Sequence, residues 1–140
     1  MRKHSQFHDG YLDGLWIENK TVHVLVRMLD KMSFTFVATD VVRLNAGPFR
    51  EGNIILDAVT REQEEISLED IMELYEITGD TRETRVGRLL AEARREELKI
   101  LDISSSYGAS LLILARSIDM LARGEWARRY SMFLAKQNED

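Results

Sequence analysis

The sequence predicts an α+β domain: an antiparallel sheet of about five to six strands, with helices packed on one face and a further helix at the C-terminal end. Three observations predict it. Apolar and β-branched residues alternate along residues 21–44 on both sides of Asp30 and Lys31. An acidic stretch of helical period, residues 61–76, interrupts the strand-like segments. Two more apolar runs, residues 98–103 and 111–121, follow the helical middle.

The 21–44 stretch reads as a hairpin because successive strand side chains point to opposite faces. Val22, Val24, Val26 and Met28 fall on one face, and Phe34, Phe36 and Ala38 continue an apolar face after the turn. Leu25, Leu29 and Val37 break the alternation, so the second face is expected to be partly covered too. Upstream, residues 11–17 form a first strand ended by Glu18, Asn19 and Lys20, where asparagine tolerates the left-handed backbone of a short turn. Trp16 is expected to pack in the core.

Pro48, the only proline, marks a loop. Residues 52–59 then read as a fourth strand with a possible bulge at Gly52 and Asn53, completing a four-stranded meander. Within 61–76, Leu68, Ile71, Met72 and Tyr75 recur at helical spacing. Ser67 and Asp70 stand at the offset of a capping box, which places the helix start at Ser67. Gly79 is expected to end it, with a second helix restarting at Asp80 and Glu83 on a Val86, Leu89, Leu90 and Ala93 stripe. That helix alternates arginine with glutamate, the pattern of a solvated face rather than a nucleic-acid surface.

Residues 98–103 read as a strand, the small residues 104–110 as a turn, and 111–121 fit either a strand closing a second hairpin or a helix; the strand is preferred. Residues 124–136 place Trp126, Tyr130, Phe133 and Leu134 at helical spacing, giving a terminal helix suited to capping the sheet or meeting another subunit.

The 140 residues fit one domain, with residues 1–8 expected as a flexible tail. Absence of cysteine excludes disulfides and thiolate chemistry and suits a reducing cytoplasm. The polar start, and the lack of any apolar run of about 18 residues, predict no membrane association. A net charge of -5 opposes generic nucleic-acid binding.

No motif demands a particular chemistry. His4, His8 and Asp9 are a weak set of metal ligands, and neither a metal nor another cofactor is expected. Asp57 and Asp102 each interrupt an apolar strand and form the candidate polar pair, joined by Tyr107 at a turn beside Gly108. Trp126, Tyr130 and Phe133 are the candidate interaction residues.

The segments FHDGYLDGLWIENKTVHVLVR, FREGNIILDAV and LDISSSYGASLLIL resemble a group of small uncharacterised bacterial proteins. The resemblance spans most of the chain and implies a strand meander ending in a GNII-type segment, a helical middle and a SYGA-type turn before a last strand. It implies no activity. The expected function is a noncatalytic protein-interaction domain that forms a homodimer. Two alternatives stand beside it: a ligand binder or enzyme using Asp57 and Asp102 in a pocket between sheet and helices, and an acidic immunity-like or antitoxin-like protein that masks a basic partner.

Overall fold

A computed structural model describes residues 1–50, 52–78 and 82–131. The strands are β1 (Arg2–Lys3), β2 (Tyr11–Glu18), β3 (Thr21–Arg27), β4 (Ser33–Ala46), β5 (Asn53–Arg61), β6 (Lys99–Tyr107) and β7 (Leu111–Ala122); the helices are α1 (Leu68–Tyr75), α2 (Arg82–Arg95) and α3 (Arg123–Arg129). All strand pairs are antiparallel, in the order β1-β5-β2-β3-β4-β7-β6, and a further pairing of β5 with β6 closes the sheet into a barrel.

The central hairpin forms as its alternation requires. Asn19 and Lys20 both take left-handed φ values, 47° and 62°, as a two-residue hairpin turn demands. The β3–β4 connection uses a left-handed Lys31, and the Asp30 carboxylate accepts the Met32 N–H at 3.0 Å. Val22, Val24, Val26, Phe36 and Ala38 turn into the barrel, while His23, Thr35 and Val37 alternate outward.

The expected four-stranded meander is corrected. β5 does not pair with β4; it lies between β2 and β6, and β4 takes β7 along its whole length, from Phe34 opposite Ala122 to Ala46 opposite Leu111. Closure follows from burial. Leu111 and Ile113 face the interior while Leu112 and Leu114 face the helices, so β7 is apolar on both sides and takes a covered place in the wall. Residues 111–121 are therefore strand. The serine-rich run is strand as well, since β6 continues to Tyr107 and the turn is confined to Gly108, Ala109 and Ser110.

Residues 1–8 are not a free tail. β1 pairs with Val59 and Thr60, and the fully buried Phe7 meets Phe34 and Phe36 edge-on at 5.5 and 5.6 Å. This segment fills the gap left because β2 touches β5 only through Tyr11 and Leu12.

α1 begins as expected: the Ser67 hydroxyl accepts the Asp70 N–H, and the Asp70 carboxylate accepts the Ser67 N–H. It ends at Tyr75 with a left-handed Glu76, before the expected stop at Gly79, which lies outside the described residues, as does Asp80. α1 and α2 share an apolar cluster with Ile100, Leu112 and Leu114, whereas α3 sits in another with Val37 and Leu121. No described helix is long and apolar enough to cross a membrane.

Candidate functional site

Strand register decides what the two candidate carboxylates can do. Asp57 lies opposite Ser104 and Asp102 opposite Val59, so both face outward on neighbouring strands, at diagonal positions. They do not form one site. Asp102 accepts a hydrogen bond from Arg61 Nη2 at 3.0 Å, while Asp57 is exposed beside His4 and His8 in a cavity of about 100 Å³.

Arg61 is the organising residue of this region. It also clamps Asp70, with Nη2 to Oδ1 at 2.5 Å and Nε to Oδ2 at 3.2 Å, so one guanidinium ties the end of β5 to β6 and to the N-terminal turn of α1. Burial lowers the affinity of this guanidinium for its proton, but the hydrogen bonds to Asp70 and Asp102 outweigh that and hold its pKa above the ordinary value. Two carboxylates facing a fixed cation suit a structural tie better than proton transfer.

Beside it the barrel mouth opens into a cavity of about 240 Å³ lined by Arg2, Thr60, Arg61, Glu62, Lys99 and Ile118. An adjoining groove of about 490 Å³ is lined by Glu62, Gln63, Glu64, Glu97, Lys99 and Arg116. Its charges are mixed and partly paired: Lys99 lies 3.7 Å from Glu62, and Arg116 lies 3.8 Å from Glu96. Neither has the apolar walls that hold most small ligands.

The N-terminal histidines line the same cavity as Asp57 but differ in burial. His4 is buried, its Nε2 3.3 Å from the Thr60 hydroxyl and its ring edge-on to Phe36, and burial, aided by Arg2, lowers its pKa. His8 stands in solvent with Nδ1 2.7 Å from the Leu56 carbonyl; that bond, with Asp9, raises its pKa. Among the described residues no three His, Asp or Glu side chains converge on a metal position.

Tyr107 is half exposed at the end of β6, opposite Ile54. The residue that organises this corner is Asn53, which the sequence suggested only as part of a bulge. Its buried Oδ1 accepts the N–H groups of Arg50 (2.8 Å) and Ala109 (3.0 Å), and its Nδ2 donates to the Leu12 carbonyl at 3.3 Å. Gly108, at φ 88°, has no room for a side chain because Asn53 fills the space.

The aromatic helix also turns inward. Trp126 is only 5% exposed, and its Nε1–H donates to His23 Nδ1 at 2.9 Å. Tyr130 stacks edge-on to the same imidazole at 4.8 Å, and Trp16 lies 6.0 Å from Trp126. Trp126 is thus not an outward-facing interaction residue, because it covers the outer side of β3 and β4 in its own chain; Tyr130 is partly covered, and Phe133 lies outside the described residues. Burial lowers the pKa of His23, favouring the neutral ring whose Nδ1 lone pair Trp126 needs. The hairpin register already pairs Trp16 with His23, so half of this cluster was available from sequence spacing.

No protein-family model, curated protein or solved structure matches the chain.

Proposed function

We propose that the chain is a noncatalytic protein-interaction domain that associates with itself. The observation that carries this reading is the filled barrel: Phe7, Leu12, Val24, Phe36, Ile55 and Leu101 occupy the interior. Recognition then falls to the outside. The expected polar pair gives less support to an enzyme, since Asp102 is held by Arg61 and Asp57 stands apart from it.

Light-scattering chromatography across a concentration range tests the proposal. The expected result is a mass rising from one chain to two; a mass of one chain at every concentration overturns self-association.

A specific observation favours a second reading, the acidic mask of a basic partner. Residues 62–78 expose Glu62, Glu64, Glu69, Glu73 and Glu76 and contain no lysine or arginine. Binding of a lysine-rich polypeptide that weakens steeply with added salt supports it; binding unaffected by salt overturns it.

A further inference from the structure

Among the described residues, β2 is paired on one side only for most of its length. β3 follows it from Tyr11 to Glu18, whereas β5 meets it at Tyr11 and Leu12 alone. The direction of each backbone group follows from the turn. In a two-residue hairpin the flanking pair, here Glu18 and Thr21, exchanges hydrogen bonds, and bonded pairs then alternate along the ladder. Trp16 therefore directs its N–H and C=O toward His23, while Leu15 and Ile17 direct theirs away from β3.

The other side of β3 agrees with this alternation, since there the even-numbered residues carry the bonds: the Met28 N–H donates to the Met32 carbonyl at 2.8 Å. Among the described residues no backbone group pairs with the outward N–H and C=O of Leu15 and Ile17.

Side-chain exposure marks the same place independently. Val22 and Val24 are 1% and 0% exposed, but their cross-strand partner Ile17 is 57% exposed and Leu15 is only partly buried. Apolar side chains along an open strand edge invite a further strand. Residues 14–18 carry no proline or lysine to block one.

We propose that two copies of this chain pair β2 to β2, antiparallel, about a two-fold axis at position 16. The inference rests on the self-association reading and assigns its surface. In this register Leu15 of each copy faces Ile17 of the other. The two facing pairs exchange four main-chain hydrogen bonds and bring apolar side chains together.

Side-chain size fits the same register. Glu18 falls opposite Gly14, where no atom lies within 4 Å of a built Cβ position, so the carboxylate has room. The self-pairing of Leu15 with Ile17 and the space that Gly14 leaves for Glu18 favour a second copy over an unrelated strand.

The test compares solution mass for the full chain, Ile17→Lys and Val42→Lys, a lysine at another exposed apolar position, with circular dichroism to check each fold. Hydrogen exchange at the Leu15 and Ile17 amides is measured at low and high concentration. The expected result is a two-chain mass that Ile17→Lys weakens by at least about tenfold and Val42→Lys leaves unchanged, with both amides slowing as the wild type associates. A dimer that survives Ile17→Lys while these amides exchange at a constant rate overturns the edge assignment and leaves self-association standing. A wild-type monomer overturns both, and the exchange measurement decides the edge even if Ile17→Lys fails to fold.

Discussion

Asn53 offers the sharpest test of how the barrel is closed. Replacing it with alanine removes the acceptor of the Arg50 and Ala109 N–H groups and the donor to the Leu12 carbonyl. Arg50 is exposed and can turn to water, but Ala109 and Leu12 are buried at 0% and 2% exposure. Each buried polar group left without a partner costs about 1–3 kcal/mol, so the two together put the expected loss near 3 kcal/mol. With a urea dependence of roughly 2 kcal/mol per molar for a chain of this size, the unfolding midpoint falls by about 1.5 M. Urea unfolding followed by tryptophan fluorescence measures it. A midpoint lowered by less than about 0.5 M, equivalent to about 1 kcal/mol, would refute the reasoning, because the seam would then be held by something other than this amide.

Arg61→Met keeps the aliphatic stem and strands the Asp70 carboxylate, 10% exposed, so it should destabilise by about 3 kcal/mol in urea unfolding. Asp102→Asn, at a side chain 35% exposed, should cost no more than about 1 kcal/mol, and equal losses in the two variants would contradict the clamp. Stability should also depend on pH through His4 and His23, whose folded pKa values lie below the ordinary 6.5. The unfolded chain then binds more protons as pH falls through about 6.5, so stability is full above that value and declines below it. Thermal melts at several pH values check this. His23→Gln should flatten the decline, whereas an unchanged pH profile in that variant would remove His23 as a contributor. His8 works in the opposite sense, its raised pKa favouring the folded state at low pH, but the group is exposed.

Local chemistry carried much of the fold in the sequence. The 21–44 alternation, the Asn19 turn and the Ser67–Asp70 cap depend on neighbours within a few residues, and each forms as written. Val37 was rightly taken to imply cover on the second face, since it lies under Trp126; Leu29, chosen by the same argument, is 62% exposed in the turn. Closure was not legible, because it depends on which of two apolar-faced strands lies beside β5, and period alone does not name a partner. Phe7 was hidden for a related reason: one aromatic residue in a polar segment has no periodicity, and its burial is set by a gap between β2 and β5. The carboxylates were recognised as strand interruptions, but Arg61, at the end of β5, was read as part of the acidic helical stretch. That left Asp102 without its cation.

The long ribbon of β4 and β7 has a consequence for synthesis. β2, β3 and β4 can pair as soon as residue 46 is available, yet the strand that covers the other side of β4 begins at Leu111. At translation rates of about 5–20 residues per second, the 65 residues from Ala46 to Leu111 take roughly 3–13 s. Throughout that interval the nascent chain carries a fourteen-residue strand with one long side open, an edge that a chaperone or a neighbouring chain can pair with.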